Sequence, residues 1–471
     1  MHTDIRIEKL LAVVVVGFSC FLLALAIFHP FLVDEFQHIH NAWLIKSGSV
    51  PYVDFFEHHN SLYWYTLVPF LKVFGENTSV LLVLRLCTFL LTMGMGRIVY
   101  SITKDLYKSH KAGLFSVLLL FSVPLFVQSS IEIRPDVPQV LFGLLSVRKF
   151  IRFLESKKER DLYFSAFFAA ISFVFLQKSI LYLAACALFL LFMLLKKSMS
   201  IKQVVTCGII VILPFTGFIL FQISQGALAD YFASNWLFNL RRDVPFFPAM
   251  GLLLYFVENS VFWVASFYAV IFFKKQKKNI QFKFILWLTG FYWVSLLLVQ
   301  RPWGQYFLFP VACLTILCAS RLNRYEELLK SRKKFAVYLS MLFFLTPILS
   351  YSVRLALNNK KQLEVINFVL ENSKETDVVV DYGRQYNLFR PDLHYIWFDV
   401  GFINKNLKRP KRVEERLSDF DIPRLIQEKR PAFITDYKLN VGSTNLSEIF
   451  RLTRFQKPEY WINLYVLDKK E

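Results

Sequence analysis

The chain breaks into long apolar runs separated by short polar loops, and the loops alternate in charge. Crossing a hydrocarbon layer takes about 20 residues of helix. Runs near that length fall at 10–28, 80–100, 112–128, 136–154, 162–176, 179–195, 203–222, 251–273, 283–299, 304–320 and 335–352. The pattern predicts an α-helical polytopic membrane protein of about eleven spans. With 51 Phe among 471 residues and 55% hydrophobic side chains, the composition is that of a membrane protein rather than a soluble domain.

The formal charge of +20 would fit a nucleic-acid partner by amount, but not by placement. One set of loops carries Lys104, Lys108 and Lys111, then Arg148 to Arg160, Lys196 to Lys202, Lys274 to Lys283, and Arg321 to Lys334. The alternate set holds only Lys46, Lys72, Arg134, Lys178, Arg241, Arg242 and Arg301. Basic loops stay in the cytoplasm, so the charge reads as topology, with the lipid bilayer as partner and no nucleic acid. The N-terminus is then inside, and an odd number of spans puts the C-terminus outside. The Phe and Lys content fits an AT-rich bacterial genome, so the expected location is a bacterial inner membrane. Leu10–Phe28 follows Arg6 and Lys9 but is longer than a usual signal core, and reads as an uncleaved first span. All six cysteines fall in apolar segments without metal-ligand spacing, which marks them as small packing residues.

The expected plan is a membrane domain over 1–352, with an outer loop at 29–79, and a small extracytoplasmic α/β domain over 353–471. In the latter Glu364–Leu370 reads as helix, and DVVVDYG, RPAFITDY and YWINLYVLD read as strands.

Polar residues concentrate in the sparse outer loops. The first, FLVDEFQHIHNAWLIKSGSVPYVDFFEHHNSLYWY, holds Asp34, Glu35, Asp54 and Glu57 with four of the eight histidines. The next has IEIRPDVPQ, with Glu132, Arg134 and Asp136; QKS brings Lys178, and QRPWGQYFLFP brings Arg301 and Tyr306. Arg85 lies inside the outer end of the second span. Carboxylates can take a proton from a hydroxyl or hold a divalent cation, and Arg and Lys can hold a phosphate. Both halves at one interface suit a lipid phosphate whose head group reacts outside.

Each residue also has a plainer reading. An acidic pair can stop a helix, Lys178 and Arg301 can reach out to lipid head groups, and Arg85 can pair with a helix carbonyl or carboxylate. Asp34 and His38 are four apart and can share a helical face. A metal site from Asp34, His38, Glu57, His58 and His59 ranks below solvated or hydrogen-bonded histidines. SLYWYTLVPF reads as an interfacial helix.

In this order and placement the motifs resemble those of the polytopic glycosyltransferases with the GT-C fold, in the branch of protein O-mannosyltransferases and lipid A aminoarabinose transferases. DEFQHIHNAWLIKSG stands for the acidic pair after the first span, RPD at 134–136 for the acidic position opening the fourth, QKS for the Lys near the sixth, and RPWGQYFLFP for the late Arg–Tyr stretch. Many relatives have a proline where this chain continues FEHHNS. The resemblance implies a polyprenyl-phosphate-linked sugar donor and a lipid, glycan or protein acceptor. It implies that Asp34 is a general base, with Glu35 beside it and Asp136 and Glu132 orienting substrate or helping to hold a metal. Lys178 and Arg301, with Arg85 third, would stabilise the departing phosphate. Arg134, Asp54, Glu57, His58, His59 and Tyr306 would position substrates. The competing readings are a transporter or flippase, and a polymerase or ligase using a diphosphate-linked glycan. The first would predict an internal repeat and charges at mid-membrane; the sequence has carboxylates at the outer ends and no repeat.

Overall fold

The computed structural model describes residues 2–240, 257–271, 279–298, 303–322, 333–381, 385–397, 411–416, 421–435, 450–452 and 464–467, with single positions 325, 327 and 331. Helices α1 to α10 are His2–Phe28, Val33–Lys46, Leu62–Phe74, Ser79–Tyr107, His110–Phe121, Pro124–Ile131, Asp136–Ser156, Glu159–Phe175, Ile180–Leu195 and Ile201–Ser224. Further helices cover Ser260–Ile271, Ile280–Leu298, Leu308–Ala319, Lys333–Ala356 and Lys360–Glu371. Each apolar run therefore contains helix. Among the described residues, four helices are long and apolar enough to span a membrane by themselves, or five if one bent pair counts as a single span.

That bent pair occupies the run expected as a span at 112–128, where α5 and α6 meet at 76°. Pro124 disfavours helical backbone at the residue before it, and Val123 is extended at φ −92°, ψ 105°. Helix α5 ends there and α6 restarts with Pro124 in its first turn, where the missing N–H costs nothing.

The α10 helix shows why a membrane is required. Val205, Ile209, Ile212, Leu213 and Leu220 are all more than half exposed. A helix that is apolar all round without being buried faces lipid.

The chain gathers into two compact units. The first comprises 1–29, 85–217 and 245–357. Its helices approach closely at small residues: a Cβ on Gly96 would meet the Phe121 ring at 2.6 Å, and one on Gly113 the Tyr100 ring at 2.7 Å. Where α7 packs on α8, the Ser146 hydroxyl donates to the Ser165 carbonyl (2.7 Å) and the Ser165 hydroxyl to the Ser146 carbonyl (2.9 Å). Small and hydroxylated residues at such seams replace the hydrophobic force that lipid cannot supply. Tyr351 donates to the Phe121 carbonyl (2.7 Å), tying the helix Lys333–Ala356 to the end of α5.

The second unit comprises 30–84, 218–244 and 358–471, so two segments that lie between apolar runs fold together with the C-terminal stretch. Its sheet has strands β1 Val379–Val380, β2 Phe433–Thr435, β3 Phe450–Leu452 and β4 Leu464–Leu467, in the order β1-β2-β4-β3. The β1–β2 pair is parallel and the others are antiparallel. Three of these strands lie in the stretches expected to form them; β3 adds a fourth. Phe55 and Phe56 of the first loop are buried with Phe238, Ile396, Trp397 and Ile434 in one core. The apolar half of DFFEHH thereby anchors its polar half.

Candidate functional site: a charged cleft and a buried acid–imidazole network

In the first unit a cleft of about 340 Å³, its open mouth included, is lined by Asp136, Gln139, Val140, Lys178, Leu181, Tyr292, Leu296, Gln305, Tyr306 and Phe309. Its polar wall is built by local geometry. Asp136 opens α7, where a carboxylate favours the positive end of the helix. Lys178 sits on a single 3-10 turn, Gln177–Ser179, between α8 and α9, and Tyr306 on another, Gly304–Phe307. Lys178 Nζ lies 3.2 Å from Asp136 Oδ1 and 4.1 Å from the centre of the Tyr306 ring. Behind it the Arg134 guanidinium bridges Asp136 Oδ2 (3.4 Å) and Glu132 Oε2 (3.3 Å). Five sequence candidates, Glu132, Arg134, Asp136, Lys178 and Tyr306, thus converge on one spot. Arg301 and the Arg241–Arg242 pair lie outside the described residues. Arg85 is 1% exposed and donates to the main-chain carbonyl of His29, the residue after α1.

In the second unit Glu35 does not stand free beside Asp34. Its Oε1 accepts from the Leu32 N–H (2.9 Å), capping the first turn of α2. The acidic pair therefore starts a helix, rather than stopping one, and leaves the half-buried Asp34 as the carboxylate with access to solvent. Asp54 is exposed and accepts from the Val50 N–H (2.7 Å), closing a turn.

Glu57 is fully buried and heavily bonded. Its Oε2 accepts from Gln37 and from Asn41 (2.6 Å). Its Oε1 accepts from the His58 N–H (2.7 Å) and faces the Nδ1 atoms of His59 (3.0 Å) and His58 (3.1 Å). Burial raises its pKa, but the hydrogen bonds and charge of the two imidazoles outweigh that and hold the carboxyl well below its usual range. Gln37 and Asn41 were not singled out from sequence. Yet Asp34, Gln37, His38 and Asn41 follow the i, i+3, i+4, i+7 spacing of one helical face.

Glu57, His58 and His59 bring ligand atoms within 4.8 Å of one another. A carboxylate with two imidazoles suits a zinc-type ion, and the amides of Gln37 and Asn41 orient the carboxylate as outer groups at metal sites do. Asp34 and His38, the other metal candidates, are not in that group. His38 Nδ1 accepts from Trp64 Nε1 (3.0 Å), which commits the ring to α3. Helix α2 is further fastened by His40, whose ring nitrogens face Asp392 (2.7 Å) and the Leu388 carbonyl (3.0 Å). Tyr52 holds φ at +69°, a strained value for a bulky residue, and its hydroxyl donates to the His59 carbonyl (2.6 Å).

With this geometry the class can be stated: the chain has the GT-C fold of polytopic membrane glycosyltransferases. It is similar to the crystal structure of ArnT from Cupriavidus metallidurans bound to undecaprenyl phosphate, with a TM-score of 0.66 at 10% identity over 97% of each chain. It is also similar to the oligosaccharyltransferase of Archaeoglobus fulgidus in the apo form, with a TM-score of 0.56 at 11% identity over 90% of this chain and 69% of that one. A second structure of that enzyme, a complex with Zn and sulfate, gives 0.51 at 12% identity over 80% and 62%. Residues 58–218 match the family of dolichyl-phosphate-mannose-protein mannosyltransferases. No curated protein sequence matches the chain.

Proposed function

We propose that the chain is an integral membrane glycosyltransferase that moves a sugar from a polyprenyl-phosphate donor to a hydroxyl acceptor on the outer face. The observation that carries this is the cleft, in which one ammonium and a Tyr face meet an apolar wall of Val140, Leu181, Leu296 and Phe309. That combination suits a phosphate attached to a hydrocarbon chain. Nucleotide sugars are cytoplasmic, so transfer outside needs a lipid-borne donor.

In this reading Asp34 accepts the proton of the acceptor hydroxyl as its oxygen attacks the anomeric carbon. The new C–O bond forms as the bond from that carbon to the phosphate oxygen breaks, with inversion. The electron pair leaves on polyprenyl phosphate, and Lys178 and Arg301 stabilise its charge. Glu132 and Arg134 hold Asp136 beside Lys178, the Tyr306 ring lies against Lys178, and Arg85 secures the end of α1. Glu35 fixes the turn that presents Asp34, and Asp54 and the buried Glu57 shape the loop beyond it. His58 and His59 would hold a divalent cation with Glu57; bound there, it would brace the loop with positive charge. Elemental analysis of purified wild type and Glu57→Gln tests this, a bound metal lost in the variant being the expected result.

Asp34→Asn keeps the shape and removes the base. Transfer should fall by roughly 10²–10⁴-fold at normal expression, with the polyprenyl-phosphate sugar accumulating. Mass spectrometry of outer glycolipids, glycans and glycoproteins at matched protein level reads this and names the sugar. Unchanged glycans under several growth conditions would favour the transporter reading.

A further inference from the structure

Within the cleft, the charge facing Lys178 is already taken. Glu132, Arg134, Asp136 and Lys178 form a row of alternating sign, carboxylate to guanidinium to carboxylate to ammonium, which sums to zero. Asp136 is 2% exposed, whereas the Lys178 side chain is 20% exposed at the cleft. Charge-assisted N–H···O bonds are commonly 2.7–2.9 Å long, and the 3.2 Å to 3.4 Å contacts in this row are looser. An anion entering the cleft therefore meets a lysine held by a resident carboxylate, at a distance that leaves room for a better partner.

We propose that Asp136 is an exchangeable counter-ion, surrendering Lys178 to the donor's phosphate on binding and reclaiming it to help expel polyprenyl phosphate afterwards. The proposal rests on the donor reading above. A buried carboxylate deprived of its ammonium is costly, because little solvent is there to take its place. Arg134 limits that cost by keeping hold of the other carboxylate oxygen, so Asp136 stays charged and ready to return. The site thereby gives up part of its phosphate affinity. That is useful to a transferase, since donor and spent lipid carry the same phosphate and a cleft that held it too well would remain occupied by product. Asp136 is accordingly a positioning residue, acting through Lys178.

The test is equilibrium and kinetic binding of undecaprenyl phosphate in detergent micelles to the purified full chain, with inorganic phosphate as a separate competitor. Asp136→Asn should bind undecaprenyl phosphate roughly tenfold more tightly than wild type, mainly through slower dissociation. Lys178→Gln should bind more weakly, and Asp136→Asn with Lys178→Gln no more tightly than Lys178→Gln alone. Asp136→Glu should restore wild-type affinity, which a purely structural role would not predict. Inorganic phosphate at equal concentration should leave the lipid bound; displacement by it would overturn the lipid phosphate as the ligand. If Asp136→Asn does not fold, Asp136→Ser removes the same charge and must show the same gain. Wild-type binding with equal or weaker binding in a folded neutral variant would overturn the exchange and leave the donor reading intact. No binding by wild type would remove the donor reading, and this proposal with it.

Discussion

At the scale of single residues, Glu57 organises the second unit, because both of its oxygens are engaged by groups from two chain segments. Replacing it by Gln leaves the donors but removes the charge they solvate. The expected cost is about 2–4 kcal/mol, read as a lower thermal midpoint in detergent. The pH dependence follows from its lowered pKa. In the unfolded chain Glu titrates near 4.3, so the folded form binds its proton less readily. In chelator-treated protein, Glu57's contribution should be complete above that pH and lost as pH falls through the lower folded value. A wild-type midpoint insensitive to acid relative to Glu57→Gln would contradict the network. Sequence singled out Glu57, His58 and His59 but missed Gln37 and Asn41. Amides carry no charge signal, and only their spacing from Asp34 on α2 gave them away. Asp392 was invisible from His40, since the two are brought together across 352 positions of chain.

At the scale of elements, close contact in the first unit depends on residues without side chains. A Cβ at Gly113 would lie 3.0 Å from the Tyr100 carbonyl oxygen, a backbone atom that cannot swing away as a side chain does. Gly113→Val should therefore destabilise the protein by about 1–3 kcal/mol, whereas Gly208→Val, with nothing within 4 Å, should not. Equal thermal midpoints for the two would refute the packing argument. The break at Pro124 was legible in sequence, because a proline restricts the residue before it whatever surrounds it. Apolar length alone concealed it, as a hydropathy count ignores backbone direction. Glu35 carried a similar local signal, since an acid in the first turn favours a helix start; its position after an apolar run gave the opposite impression.

At the scale of the whole molecule, we propose the orientation from loop charge: basic loops inside, the Asp34 loop outside. Asp54→Cys, in an exposed turn of that loop, should react with a membrane-impermeant maleimide in intact cells. Lys158→Cys, exposed between α7 and α8, should react only after permeabilisation. Labelling of Lys158→Cys in intact cells would invert the topology and place the proposed chemistry on the cytoplasmic side. The sequence by itself determined the membrane class, the helical segments and the resemblance to the GT-C fold. Those follow from apolar length and loop charge, which are local and additive along the chain. Only the tertiary structure decided that Asp136, Lys178 and Tyr306 share one cleft, and that 30–84 folds with 218–244 and the C-terminal stretch. It also decided that Glu35 caps its own helix and that Glu57 is buried among hydrogen-bond donors. These depend on helix termini meeting across long stretches of chain, and on burial strengthening each charge pair, neither of which a local pattern encodes.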